Sequence, residues 1–579
     1  MVETGDKVTR IYGDFRGVDF RGEDCSINRS PDSLNVWKNY KKLASIETRP
    51  GLEHLYTFEK GIDTMMRHKG TLYFTSKDGY LHALLADGTV EYQKLYVGSH
   101  ALLFVFDGKL YAKGSARYSN VTDNCDVDPY IPTTSIGRQP SGGGEIHEDV
   151  NMLSPYRINT FLADGESTQY HLDAQGLDED YELVVTYNDR FTLDQGESAD
   201  FTVDYKKGVV TFLIAPEAPS TDGQDNVSIQ FKKTVSGYAD RVLRCNIAQE
   251  FDGRVFLSGN PDYPSTVWHS SLHDPSYFSD LDYYEDGADG APIRSMVAGN
   301  NGLWVFRDES ISNSSVFYHT PALDGDYGKV YPSSHSSISL GCVGRAVNFN
   351  DDIVFFSQRG MEGASTDITT EQFVTHRSSL IDRKMLTHDK YKDMVLAEWE
   401  GYLLVFIGSD VYLADSRAVL KLENHIEYEW YHWSLGKNTV TCATVDDGVL
   451  YVATQGANGM GYIHTLTRDA EKGDEWDEDV PIVSYWATPR DNFGVPNKQK
   501  TTNKKGCITE ALGDVAVYVR TDDDADYELI GENTGIEDFF VSRIKKKKFK
   551  DIQLKFHSTT KFSLEGATLE AYVGAYIKR

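Results

Sequence analysis

Two short acidic runs have the makings of a cation site: Asp123, Asp126 and Asp128, and Asp522, Asp523, Asp524 and Asp526. Calcium takes clustered oxygen ligands, but a calcium loop places them at alternate positions around a central Gly and closes with a Glu. Neither run keeps that spacing, so both read as solvated acidic loops. Paired carboxylates would serve glycoside hydrolysis, yet among 88 Asp and Glu no pair stands out. The Ser-x-Asp-x-Gly-x-x-Trp box of sialidase-type enzymes is absent; Ser76-Lys77-Asp78-Gly79 comes nearest and has the wrong spacing. The chain has no H-E-x-x-H, no Gly-x-Ser-x-Gly elbow and no phosphate-binding loop. His425, His432 and His464 are scattered. Lys545-Lys546-Lys547-Lys548 precedes an alternating strand. It lacks the interleaved aromatics of a single-strand nucleic-acid platform, and reads as a charged strand face or an interface with an acidic neighbour. No catalytic, cofactor-binding or metal-ligating residue is assigned, and a non-enzyme is expected.

The elements that would position any site repeat along the chain. Glu250-Phe251-Asp252-Gly253-Arg254-Val255-Phe256 is a strand, a tight turn and a second strand; Asp-Gly between apolar runs is a strong hairpin signal. Equivalent marks are Gly70, Gly108, Asn301-Gly302, Asp351-Asp352, Glu400-Gly401 and Asp447-Gly448. Marks at 253, 302, 352, 401 and 448 step by 49, 50, 49 and 47 residues. A period of about 50 with short aromatic and β-branched runs is the pattern of a β-propeller. Seven units are counted, so an all-β six- or seven-bladed propeller is expected. The step from 108 to 253 carries an excess that marks an inserted domain.

Composition sets further bounds. A chain of 579 residues exceeds one core, and 35 Tyr, 27 Phe and 49 Gly suit a β protein rich in turns. No apolar run is long enough for a membrane helix, and the start of the chain has no secretory pattern. Cys25, Cys125, Cys245, Cys342, Cys442 and Cys507 show no C-x-x-C spacing and read as free thiols. The net charge of −30 argues against duplex binding, which needs Lys and Arg to neutralise phosphates. It suits a conduit through which DNA slides without adhering.

In chain order, residues 1–60 read as an extended arm, either a strand that closes the propeller or an arm reaching a neighbouring subunit. Residues 61–144 hold the first blades and end in a flexible linker at Ser141-Gly142-Gly143-Gly144. Residues 145–236 alternate as a small Ig-like β-sandwich, 237–480 hold the remaining blades, and 481–579 form a C-terminal β domain.

Arg29-Ser30-Pro31-Asp32-Ser33-Leu34-Asn35-Val36-Trp37 with Thr48-Arg49-Pro50-Gly51 resembles the opening of the tail stabilisation or tail-nozzle (tail hub) proteins of tailed bacteriophages. So do Gly259-Asn260-Pro261-Asp262-Tyr263-Pro264, Val267-Trp268-His269-Ser270 and Asp274-Pro275-Ser276-Tyr277-Phe278, and, near the end, Lys548-Phe549-Lys550-Asp551-Ile552-Gln553 and Phe562-Ser563-Leu564-Glu565-Gly566. The resemblance implies a structural virion protein made in the host bacterial cytoplasm. It would assemble with itself as a ring, a hexamer by expectation, below the portal and head–tail adaptor proteins, with DNA passing through unbound during ejection. The alternative is a host-surface receptor- or glycan-binding propeller, for which Trp268, Trp304, Trp399, Trp430 and Trp433 would supply aromatics if they were not core.

Overall fold

The structure is a computed structural model. It describes residues 5–576 apart from 39, 41–44, 86–89, 189–190, 197–199, 289, 310–313, 325–327, 336–339, 365–373, 423–424, 468–474, 477–479, 523, 536–537 and 546–547. The chain is all-β, and among the described residues its helices are short turns such as Tyr238–Leu243 and Asp382–Met385. It divides into two compact units, residues 1–94 with 336–579, and residues 95–335.

Among the described residues, seven sheets have four strands. Each opens with a hairpin whose two turn residues both lie at left-handed φ: Lys69-Gly70, Asp107-Gly108, Asp252-Gly253, Asn300-Asn301, Asn350-Asp351, Glu400-Gly401 and Asp447-Gly448. That is the geometry whose twist matches two antiparallel strands. Two turns fall one residue earlier than the sequence marks. Asn and Asp tolerate positive φ through their short polar side chains, which frees Gly302 and Asp352 to begin the second strand. The last five turns therefore end at 253, 301, 351, 401 and 448.

The first unit holds four of these sheets, beginning at Ile62–His68, Ala346–Phe349, Val395–Trp399 and Thr439–Asp446. The first strands of three of them, Ile62–His68, Thr439–Asp446 and Val395–Trp399, lie side by side. The second unit holds three, beginning at Leu102–Phe106, Ile247–Phe251 and Ile293–Gly299, again with first strands adjacent.

Residues 7–58, expected as an extended arm, run through two sheets of the first unit. Gly51–Phe58 is the fourth strand of the sheet that begins at Thr439, paired antiparallel with Gly461–Thr467. Lys7–Tyr12, Ser33–Leu34, Val36–Lys38 and Ile46–Thr48 join Ser484–Ala487, Lys498–Thr521, Glu528–Thr534, Phe539–Ser542, Ile552–Ser558 and Phe562–Tyr576 in one ten-stranded, nearly closed sheet. The C-terminal β domain is thus not made of 481–579 alone; four of its strands come from the N-terminal segment. Lys498–Thr521 is long enough to pair with Phe562–Tyr576 along its first part and Ile552–Ser558 along its last. It changes partner near Gly513, where a Cβ would stand 2.4 Å from the Lys561 carbonyl oxygen.

In the second unit, Thr133–Arg138 to Val227–Lys232 form a six-stranded and a three-stranded sheet. Phe161, Tyr170, Phe201, Phe212, Ile229 and Phe231 fill the core between them. This sandwich begins at Thr133 rather than 145. The run Ser141-Gly142-Gly143-Gly144 is a turn inside it, between Thr133–Arg138 and Glu145–Ile146, not a linker leading in. The linker expectation failed because Thr133–Arg138, just before the glycines, is a short and largely polar strand.

Candidate functional site

Residues 29–37, with 48–51, form a clamp within the first unit. Pro31, Asp32 and the short strand Ser33–Leu34 bring the chain to Asn35, which sits at φ 56° and turns it into Val36–Lys38. Asn tolerates that backbone because its side chain bonds locally. Here it bonds across the fold. Asn35 Nδ2 donates to the Val483 carbonyl at 2.8 Å, and its Oδ1 accepts from Ser434 N at 2.8 Å and Arg49 Nε at 3.0 Å. The backbone joins in: Asn35 N donates to His432 O and Arg49 N to Asn35 O.

Around this hub, residues of this segment and of the chain before it reach two sheets. Toward the ten-stranded sheet, Ser30 Oγ donates to Ala487 O at 2.7 Å and Tyr485 Oη donates to Asp32 at 2.9 Å. Tyr12 Oη and Arg10 Nε both reach Asp491. Toward the sheet that begins at Val395, Trp433 Nε1 donates to Val36 O and Tyr402 Oη to Lys38 O. Trp37 stacks on Trp399 at 5.6 Å and meets Trp433 edge-on at 5.8 Å. Gly17 passes so close to Trp430 that a Cβ would lie 2.3 Å from its carbonyl oxygen, and Val18 N donates to that same oxygen.

Arg49 is fully buried and donates to Asn35 Oδ1, Pro50 O and Ser434 O. Burial pushes its guanidinium down to about 9. A buried guanidinium is tolerable when its donors are satisfied, so it serves as a crosslink rather than a ligand for an outside anion.

Carboxylates line the other edge of the clamp. Asp415 and Glu429 face each other across neighbouring strands, and both are buried. Asp415 accepts from Tyr40 Oη and from Arg417 Nε, and the Arg417 guanidinium lies 3.7 Å over the Tyr40 ring. Among the described residues, no hydrogen-bond donor reaches one of the Glu429 oxygens. Burial, with the like charge of Asp415 adding to it, lifts its carboxyl to about 7 despite the opposing pull of Lys38 and Arg29. A buried carboxyl that holds its proton near neutral pH is what acid–base chemistry would use, but this one is sealed in packing against the clamp. The chemistry it offers is a stored proton.

Two histidines also meet carboxylates, with opposite outcomes. His376 lies between Glu362 at 3.0 Å and Asp382 at 2.5 Å. Burial alone would lower its pKa, but the hydrogen bonds and charges of Asp382 and Glu362 outweigh that and raise it to about 10. His432 Nε2 meets Asp410 at 2.9 Å and its Nδ1 lies 3.3 Å from Lys384 Nζ; burial lowers its pKa although the hydrogen bond to Asp410 opposes that.

The residues singled out from sequence are dispersed. Asp123 pairs with Lys109 at 2.7 Å and accepts from Asn120, while Asp126 accepts from Ser119. Asp522 accepts from the backbone of Lys550 and Asp551, and Asp524 from Thr521; Asp523 lies outside the described residues. No group of three His, Cys, Asp or Glu side chains among the described residues is arranged to hold a metal. Asp78 is held by Lys60 and Ser76 in a turn. His464 is buried against Thr454, and burial pushes it down to about 4; the side chain of His425 lies outside the description. Trp268, Trp304, Trp399, Trp430 and Trp433 are all at most 2% exposed. Burial pushes the thiols of Cys245, Cys442 and Cys507 up to about 12, away from nucleophilic use. Among the described residues, no helix is long and apolar enough to cross a membrane. Sequence reasoning missed Asn35 and Arg49 as a hub. The one local signal was an Asn between two apolar residues, which marks a left-handed turn without saying what its side chain reaches.

No family model matches the chain, and no curated protein sequence does. Solved structures with some likeness include the computationally designed protein Ika8, at 10% identity, covering 72% of this chain and 99% of that one, with a TM-score of 0.32. Another is PorZ, a surface component of the type-IX secretion system of Porphyromonas gingivalis, at 11% identity, covering 85% and 74%, with a TM-score of 0.26. A third is BBS1N in complex with ARL6DN, at 11% identity, covering 73% and 99%, with a TM-score of 0.31.

Proposed function

We propose that the seven four-stranded sheets are the blades of a β-propeller, and that the chain is a non-enzymatic structural subunit of a bacteriophage tail. In this reading copies assemble as a ring, a hexamer by expectation, forming a nozzle or stabilisation layer below the portal and head–tail adaptor proteins. DNA leaves through the ring during ejection. The single observation that carries the reading is the clamp. The residues that resemble the opening of the tail-nozzle family are those that knit residues 10–49 to two sheets, so the resemblance lies in a mechanical joint rather than in a catalytic centre. The acidic balance agrees, since like charge keeps a polyanion from adhering to a channel wall. The alternative, a glycan-binding propeller on the tail, needs an apolar and aromatic pocket, and the five tryptophans that would build it are spent on packing.

Light scattering on the purified protein, alone and mixed with a portal or adaptor protein, tests the ring. A mass of several copies, free or on the partner, is expected. A monomer that ignores the portal yet binds or hydrolyses polysaccharide would replace this reading with the alternative.

A further inference from the structure

Charge is divided unevenly along the chain. Residues 1–480 hold 42 Lys and Arg against 74 Asp and Glu, whereas residues 481–579 hold 16 against 14. Most of the cations of that last part lie in two stretches, 498–505 and 543–550. The fold brings the two together. Lys500 and Phe549 exchange backbone hydrogen bonds, at 2.7 and 3.0 Å. Gly506 abuts the other stretch, where a Cβ would stand 2.0 Å from Ser542 O.

Arg543, Lys545, Lys548 and Lys550 are exposed, and among the described residues no carboxylate pairs with their side chains. Lys546 and Lys547 extend the run in sequence and lie outside the description. Beside this patch, Phe539–Ser542 turns two large apolar side chains outward: Phe539 is 60% exposed and Val541 53%. Val541 pairs with Ile508 and Phe539 with Glu510, which seats the apolar pair on the same sheet as the basic turn.

We propose that this basic and apolar patch is the contact surface for a second copy of the chain, binding the acidic surface contributed by residues 1–480. Charge complementarity selects that occupant. An exposed cationic patch on a chain of net charge −30 meets its opposite charge on every other copy, at equal stoichiometry. A nucleic acid is disfavoured, because the chain's own field opposes the approach of a polyanion and because Phe539 and Val541 are placed as an apolar interface core with a polar rim. The geometry follows from the sign of the charge. A basic patch cannot face itself on a two-fold axis; a basic-to-acidic contact made twice across such an axis closes a dimer, and one made once is heterologous and propagates to a ring or a filament, the case that the ring reading selects. This inference rests on the ring reading and names the surface that makes the ring.

The test compares the wild type with K545E/K548E and with F539S, by light scattering at about 0.05 and 0.5 M salt; over that range screening lengths fall from roughly 14 to 4 Å. Circular dichroism confirms folding. The wild type is expected to exceed a dimer at low salt and to lose association at least about tenfold at high salt. K545E/K548E is expected to be monomeric at both, and F539S to be weakened at both. Carbodiimide crosslinking of mixed labelled and unlabelled chains should join Lys545 or Lys548 to Asp or Glu of residues 1–480 between copies. An oligomer whose mass neither variant changes overturns this surface and leaves the ring standing. A wild-type monomer, free and with the portal, overturns both, and duplex DNA captured through Lys545 and Lys548 with no self-association overturns the choice of partner.

Discussion

Asn35 is the point at which the clamp can be tested most sharply, because three substitutions separate its backbone from its side chain. Asn35→Ala removes a donor to Val483 O and an acceptor for Ser434 N and Arg49 Nε. Arg49 is buried, and leaving its donor unpaired costs about 1–3 kcal/mol. Ser434 is half-buried and Val483 exposed, so water recovers part of their loss and the network as a whole costs about 2–4 kcal/mol. Alanine at φ 56° adds about 1–2 kcal/mol of steric strain that Asn carries more easily. Asn35→Gly loses the same hydrogen bonds without that strain, so it should be about 1 kcal/mol more stable than the alanine variant although it has the smaller side chain. Asn35→Asp keeps the acceptor for Arg49 and Ser434 but turns a second oxygen toward the Val483 carbonyl, and should fall between Asn and Gly. Hydrogen exchange is the assay, since a large chain unfolds in parts and reports each part separately. Protection should fall in residues 30–38, 432–434 and 483–487 and hold in the sandwich at 133–232. Equal protection in Asn35→Ala and wild type, or a glycine variant less stable than the alanine one, would refute the hub.

Other outcomes follow from the same physics. Lys69 is an exposed non-glycine residue at φ 48° in a two-residue turn; Lys69→Asn should raise the stability of its unit by about 0.5–1 kcal/mol, read by thermal or urea unfolding. His376 has a folded pKa raised to about 10 above its ordinary 6.5, so its contribution is complete below about pH 6.5 and lost as pH rises toward 10. Unfolding followed from pH 6 to 10 should show that loss in wild type, and His376→Gln should flatten it. Glu429, raised to about 7 by burial, gives stability that is complete below its unfolded pKa and is lost as pH rises through 7. Glu429→Gln should therefore melt later than wild type at pH 8 and gain little at pH 5; an equal gain at both would show that its proton is not what matters.

What was legible in the sequence was local. Turn chemistry revealed seven hairpins, because a two-residue reversal leaves φ positive at both positions and Asp, Asn and Gly advertise it. The error of one residue at Asn301-Gly302 and Asp351-Asp352 has the same source: Asn and Asp can fill both turn positions, so a following Gly or Asp is not needed there. The tryptophans were readable as core because indoles are too large to be left in water by chance. The pairing of residues 7–48 with 484–576 was not readable. Strands such as Ile46–Thr48 and Ser33–Leu34 are two or three residues long and show no period. Their partners lie at the far end of the chain, and only the tertiary structure says which short polar segment meets which. The hub at Asn35 and Arg49 was hidden for the same reason, since all it does is nonlocal.

That nonlocality has a consequence during synthesis. Ser30 and Ala487 are 457 positions apart, and Asp32 and Tyr485 are 453 apart. At translation rates of about 5–20 residues per second, the N-terminal strands wait roughly 20–90 s for these partners. Lys7–Tyr12 waits longest, since its paired strand is Phe562–Tyr576. A chain cut after residue 480 isolates this step. Gly51–Phe58 still has Gly461–Thr467 to pair with, and Trp37 still has Trp399 and Trp433. Lys7–Tyr12, in contrast, loses its whole ladder, and Arg10 its partner Asp491. Trypsin should therefore cut the shortened chain rapidly at Lys7 and Arg10, and chymotrypsin should spare Leu52, Tyr56 and Phe58 in it, while the full chain resists at all of these. Rapid cutting at Arg10 in the full chain would mean that Lys7–Tyr12 does not stay in its sheet. Resistance at Arg10 in the shortened chain would mean that the N-terminal segment is held without the C-terminal sheet, and the clamp would then lean on one sheet rather than join two.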